Sequence, residues 1–189
     1  IEERLVRGEL TTGIPFAFLP KKTRGNTVNL TLNLRFGDEK SLMGKTAACE
    51  LLGSLVERGT KTLTLQQVND RKDQLKADIR ISSIPQILRI SVETKKETLI
   101  EVLALIEDIL RNPLLDETDF SLLKDQTYIR LENQKREPSI LVEKRVNRIL
   151  SPYKRGDVRY VPTTEEEMED YRNLKLADVK EIHAKFLSG

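Results

Sequence analysis

One imidazole and one thiol, His183 and Cys49, occur in the 189 residues, so chemistry that needs several nitrogen or sulfur ligands has little to start from. Zinc sites draw on sets of His and Cys, or on two His with a carboxylate, and a single cysteine cannot close a disulfide within the chain. Glu50, Gly53, Ser54 and Glu57 recur at helical spacing and so share one side of a helix; by type alone Glu50, Ser54 and Glu57 read as its solvated face. Cys49 lies beside the apolar stripe of that segment, which suits a buried, inert thiol with no base to activate it. His183 stands among Val179, Ile182 and Phe186, the setting of a structural or surface imidazole. Lys154, Arg155, Arg159 and Tyr160 cluster after Pro152 and could meet a peptide or a partner domain, although a solvated loop is the first reading of that pattern. No glycine-rich loop that could cradle a phosphate is present.

The elements that must position these residues follow from composition and periodicity. Lys and Arg number 32 against 30 Asp and Glu, a net charge of +2, and apolar residues make up 38%. That is the balance of one globular domain, residues 1–189, with mixed surface charge and no broad cationic face for nucleic acid. No apolar run approaches the roughly 18 residues that a membrane span needs, and no cationic-then-apolar leader opens the chain. Ile1 is not an initiator Met, and Gly189 follows closely on an amphipathic segment; we expect a piece cut from a longer protein.

Leu10 to Leu19 reads as a hairpin arm turning at Gly13, and Lys21 to Asn26 as a polar connector. Val28, Leu30, Leu32 and Leu34 alternate with Asn29, Thr31, Asn33 and Arg35, which predicts a strand with one buried face. Apolar pairs from Leu42 to Val56 predict a helix with Gly59 as a left-handed cap. Thr64 and Gln67 form a capping box, with Leu63 and Val68 as its hydrophobic staple, for a helix that stops near Lys76. Asp78–Ile84 and Ile87–Glu93 read as an antiparallel pair turning at Pro85. Thr94 to Glu97 reads as a second capping box, opening a helix that runs to Asn112-Pro113. Further helices are expected from Glu117 to about Arg136, stopped by Pro138, then from Ser139 to Leu150, from Thr164, and from Ala177 to Leu187. Clustered strands followed by runs of helices predict an α+β fold, an antiparallel sheet covered on one side by helices.

The stretch Phe36-Gly37-Asp38-Glu39, Gly44 and then Ala47-Ala48-Cys49-Glu50-Leu51-Leu52-Gly53-Ser54-Leu55-Val56-Glu57-Arg58-Gly59-Thr60 resembles the metal-binding helix of the pitrilysin, insulinase and mitochondrial-processing-peptidase family. Members of that family carry His-x-x-Glu-His followed by a Gly-Thr pair. Aligning the pair on Gly59-Thr60 places Glu50 and Ser54 at the two histidines and Gly53 at the glutamate, while the third ligand, a glutamate on the long helix, falls at Arg130 or, in a shifted register, at Glu132. The resemblance extends over most of the chain, to Leu176–Lys180 with His183 and Phe186, and the family's final strands are absent.

What the resemblance implies is a degenerate, non-catalytic domain. A zinc peptidase holds its metal with two imidazoles and a carboxylate and uses a glutamate to take a proton from the metal-bound water. Arg130 cannot ligate a metal, and Gly53 has no side chain to act as base. Zinc is therefore expected only in a companion catalytic domain, with this chain contributing part of a substrate-enclosing chamber. The partners implied are that companion, an extended peptide, and weak association of the chain with itself, with no nucleic acid and no membrane. The resemblance favours a bacterial setting, periplasmic over cytoplasmic. A different class of function, a structural or assembly scaffold in a larger complex with no peptidase activity, stays open beside it.

Overall fold

The computed structural model describes residues 4–22 and 25–187; Thr23 and Arg24 of the expected connector, and the ends Ile1 and Gly189, lie outside the described residues. Strands β1 (Val6–Glu9) and β2 (Pro15–Phe18) form an antiparallel ribbon. Its turn depends on Gly13, whose φ of 81° suits a residue without a Cβ. The expected hairpin is present, but its first strand begins before Leu10.

Strands β3 (Thr27–Arg35), β4 (Asp78–Ile84) and β5 (Ile87–Lys95) make an antiparallel sheet in the order β3-β5-β4. The register sets Leu30, Leu32 and Leu34 opposite Val92, Ile90 and Leu88, and Ile79 and Ile81 opposite Val92 and Ile90. One apolar face results, and it is closed over β4 and β5 and half-open at β3. The other face is polar, with Arg89 Nε donating to Asn33 Oδ1 at 3.0 Å. The α+β expectation holds, with the helices on the apolar face.

Helix α1 (Thr46–Val56) is the central element of that layer, burying Ala47, Ala48, Cys49, Leu51, Leu52, Gly53, Leu55 and Val56. It starts later than its apolar pairs suggest. Asp38 Oδ1 accepts from Ser41 N at 2.8 Å and Lys40 N at 3.1 Å, forming a separate turn that anchors buried Leu42, and Gly44 with φ of 72° breaks the chain before the helix. Gly59 is not the left-handed cap of this helix. The C-cap is Glu57 in right-handed conformation, and Gly59, at φ of 132°, forms an isolated bridge with Thr64. The adjacent Thr60 is buried and its Oγ1 accepts from Leu63 N at 3.0 Å; Thr60 also bridges to Pro113. The Gly-Thr pair thus ties the turn after α1 to the turn before the long helix.

Helix α2 (Leu65–Gln74) opens on the expected capping box, with Gln67 N donating to Thr64 Oγ1 at 3.3 Å and Thr64 N to Gln67 Oε1 at 2.8 Å. The second box does not form. Thr94 remains in β5, its hydroxyl 2.9 Å from that of Thr98, and a short 3-10 turn leads into α3 (Leu99–Arg111). Sheet pairing of Thr94 with Val28 outweighs the local capping preference. Helix α4 (Glu117–Gln134) is capped by Asp116, and Pro138 opens α5 (Pro138–Leu150) at a position where its missing N–H costs nothing. Helix α6 (Thr164–Asn173) takes Thr163, not Thr164, as its cap, paired with Glu166. Helix α7 (Leu176–Phe186) packs Val179 and Ile182 into the same core.

The contact between α1 and β4 sets the whole arrangement. Ser83 occupies an inward position of β4, opposite Leu88, where Ile79 and Ile81 would predict another aliphatic side chain. Its hydroxyl donates to Cys49 O at 2.5 Å and accepts from Gly53 N at 2.7 Å, so a strand side chain bridges groups of the helix's own hydrogen-bond ladder. A Cβ at Gly53 would lie 2.7 Å from both Ser83 N and Oγ and 2.9 Å from the Ser82 carbonyl carbon. The absence of a side chain at Gly53 is what lets helix and strand meet. Gly53→Ala should therefore destabilise the protein by about 1–3 kcal/mol, because overpacking against backbone outweighs the ~1 kcal/mol gain in helix propensity. Urea unfolding checks this; a variant more stable than the parent would contradict the close-approach account.

Candidate functional site

Two side chains of α1 reach the surface within its span, Glu50 and Ser54, and half-buried Glu57 follows at the cap. Glu50 lies where α1 meets α4, α5 and α6. It accepts a hydrogen bond from Tyr171 Oη of α6 at 3.0 Å. Arg130 on α4 and Lys144 on α5 attract its charge, and Glu167 on α6 opposes it. Lys144 in turn pairs with Glu167 and donates to Thr164 Oγ1 at 3.2 Å.

The electrostatics follow from crowding. Glu50 keeps open surface on one side, yet the protein packed around its carboxyl raises that group above the usual carboxylate range, and Glu167 adds to the rise; the Tyr171 hydrogen bond, Arg130 and Lys144 only partly offset it. Burial, followed by the Glu50 charge, raises the Tyr171 phenol. Glu57 is also raised by burial, against the pull of Lys72, whose Nζ is 3.3 Å away. The same effect pushes the Cys49 thiol up to about 12, leaving it protonated and inert.

The structure brings Glu50 and Arg130 into one polar cluster and leaves Ser54 at its exposed edge on the next turn. It does not bring Gly53 there. That position is buried against β4, so the single side expected to carry Gly53 with Glu50 and Ser54 is divided: the neighbouring strand, which α1's own periodicity does not reveal, lies against Gly53. Glu132 points elsewhere and pairs with Lys135 at 3.6 Å. His183 is buried, its Nε2 2.7 Å from Leu110 O; a carbonyl can only accept, so that nitrogen carries a proton and ties α7 to α3.

The basic loop is more than a solvated one. Arg155 bridges Glu169 at 2.9 Å and Asp170 at 3.0 Å, Arg159 pairs with Asp157 at 2.8 Å over the Tyr153 ring, and Tyr160 donates to Glu166 at 2.9 Å. Tyr171, Glu167 and Lys144 are cluster residues that sequence reasoning missed. Helical spacing on α6 could have paired Glu167 with Tyr171, but not shown that either faces α1.

Zinc, the metal implied by the resemblance, does not fit this donor set. A carboxylate and a hydroxyl with a guanidinium nearby offer no converging pair of imidazoles. Among the described residues no group of three or more His, Cys, Asp or Glu is placed to hold a metal ion. Two open recesses, of about 530 and 470 Å³, lie between α4 and the α6–α7 connection and between α2 and α3, and neither is lined by Glu50, Ser54 or Arg130.

An antiparallel sheet with helices on one face and a central helix after β3 makes this an α+β domain. More narrowly, its fold is that of the M16 peptidase inactive domain. The chain aligns over 95% of its length with the M16 inactive domain from Pseudomonas fluorescens, at 15% identity and a TM-score of 0.79, covering 43% of that chain. It aligns over 95% with a protease from Helicobacter pylori, at 19% identity and a TM-score of 0.74, covering 42% of that chain. The periplasmic protease PqqL from Escherichia coli aligns over 98%, at 15% identity and a TM-score of 0.71, with 21% of its own length covered. The chain therefore spans less than half of each of these proteins. No family model matches the sequence, and no curated protein matches it. Among the described residues no helix is long and apolar enough to cross a membrane.

The raised Glu50 carboxyl gives a pH signature. A group raised on folding contributes stability that is complete below its unfolded value, near 4.5, and is lost as the pH climbs through the higher folded value. Glu50→Gln should match the parent in acid and exceed it in thermal stability above that window, since an amide oxygen can still accept from Tyr171. Melting curves over a pH series test this; a Gln variant less stable than the parent at neutral pH would show that the charged form is the one the site favours.

Proposed function

We propose that this chain is the non-catalytic half of a two-part zinc peptidase, forming part of the wall around the substrate and contacting extended peptide or the catalytic companion. The observation that carries this reading is the state of α1. The fold is that of an M16 inactive domain, yet the positions aligned with the metal motif hold Glu50, Gly53 and Ser54, and the one aligned with the proton-accepting glutamate is filled by the backbone of β4. A carboxylate at Glu50 with Arg130 in its field makes a structural contact with Tyr171, not a ligand set. The zinc and the general base belong, on this reading, to the companion. The polar outer face of the sheet, with Asn29, Thr31, Asn33 and Arg89, gives the peptide-facing wall hydrogen-bonding groups. A bacterial periplasmic setting is the one we favour, on the likeness to PqqL.

The reading is tested by metal content and turnover together. Protein purified without chelator should hold well under one zinc per chain by elemental analysis, and should leave casein and insulin B chain intact on long incubation. Stoichiometric zinc accompanied by chelator-sensitive cleavage would overturn the non-catalytic assignment.

A further inference from the structure

Helix α5 is amphipathic in the inverted sense. Its half-buried positions are Ile140, Lys144, Arg148 and, just past the helix, Ser151, a seam at one-turn spacing along a single side. Two of these side chains are charged and one is a hydroxyl. Val142, Val146, Ile149 and Leu150 form a stripe that faces outward instead, with exposures of 64%, 49%, 71% and 75%. A helix on the surface of a domain ordinarily does the reverse. The helix buries no side chain fully, and none of its apolar residues belongs to the core or packs against it.

What fastens α5 is therefore polar. Lys144 pairs with Glu167, donates to Thr164 Oγ1 at 3.2 Å and lies in the field of Glu50. Arg148 attracts the Glu166 carboxylate. The ends add little. The N-cap Glu137 makes no side-chain capping bond, and Pro138 and Pro152 have no N–H to donate. Ser151 Oγ is buried without a hydrogen-bond partner among the described residues, a cost that opening relieves. A helix of 13 residues is marginal by itself in water and normally owes its stability to a packed apolar face. This one has none. The chain on either side is anchored without it: Leu131 of α4 is buried in the core, and Arg155 holds Glu169 and Asp170 of α6. Helix α6 reaches α1 through Tyr171 and Glu50, and its C-terminal carbonyls hold Lys124 of α4, so the layer closes beneath α5 and not through it.

We infer that α5 is a strap latched by Lys144, a unit that opens and melts by itself while α1, α4 and α6 stay packed. Each opening withdraws the Lys144 ammonium from Thr164 and Glu167 and leaves Arg130 as the cation in the field of Glu50. Such opening is a property of this chain alone and requires no companion. Native-state amide hydrogen exchange, followed residue by residue by NMR at several low urea concentrations, tests it. The α5 amides should exchange at least ~100-fold faster than those of α1 and with little dependence on urea, yet more slowly than in an unstructured peptide of the same sequence. Lys144→Ala should speed α5 exchange about tenfold, the worth of a charge-assisted hydrogen bond, and leave α1 unchanged. Ile149→Ala, on the outward side, should change it by no more than about twofold. Protection of α5 equal to that of α1, with the same urea dependence, would show that the helix opens only with the whole domain and would overturn the inference. So would α5 amides that exchange at the unstructured-peptide rate in the parent, since no latch then exists. A Lys144→Ala protein that exchanges like the parent, or faster in α5 and α1 alike, would overturn it too.

Discussion

The close approach of α1 to β4 at Gly53 is the constraint on which the rest of the structure depends. A helix and a strand that meet backbone to backbone need a residue without a Cβ on the helix, and here the hydroxyl of Ser83 fills the gap and joins the helical ladder at Cys49 O and Gly53 N. That contact fixes the rotation of α1 about its own axis. Leu52, Leu55 and Val56 then face the core, and Glu50 and Ser54 face outward. The same rotation delivers Glu50 to Tyr171 and into the fields of Arg130, Glu167 and Lys144. The position that the proposed alignment would give to a proton-accepting carboxylate is used here for packing.

The polar cluster that results is structural. Tyr171 and Glu50 link α6 to α1, Lys144 links α5 to α6, and Lys124 of α4 donates to the carbonyls of Arg172 and Leu174 at the end of α6 at 3.0 and 2.9 Å. Lys144 meets an opposite charge, Lys124 meets two carbonyls, and Glu50 meets a phenol, so the helical layer is held by polar contacts at its outer side and by the aliphatic core at its inner side. Because α5 spends its charged side on this attachment, its aliphatic side is left facing out. The outward stripe and the cluster are two consequences of one choice of docking side.

Much of this was legible in the residues. The alternation in β3, the Pro85 turn, the Thr64 box and the order of elements are local signals, and they survive because tertiary packing agrees with them. Where packing disagreed, the local signal lost: Thr94 stayed in its strand, and Gly59 served a bridge. The family resemblance located α1 and named Glu50, Gly53, Ser54 and Arg130, but helical spacing only put Gly53 on one side with Glu50, Ser54 and Glu57. Its burial depends on Ser83, thirty residues downstream, and nothing in the helix reveals which strand will lie against it. The inverted face of α5 was hidden for the same reason, since periodicity gives the two sides of a helix but not which one faces the core.

The central claim, that β4 lies so close to α1 at Gly53 that no side chain fits there, is tested most directly by unfolding free energies with and without zinc for two variants built on the proposed motif alignment. Glu50→His with Ser54→His replaces the acceptor of the Tyr171 bond but leaves the α1–β4 contact at Gly53 untouched, and the account predicts a folded protein with no tight zinc site. Adding Gly53→Glu to that pair forces a side chain into the Ser82–Ser83 backbone, and the account predicts a further loss of about 2 kcal/mol or more that saturating zinc does not restore. A triple variant as stable as the double, gaining stability from one equivalent of zinc, would contradict it.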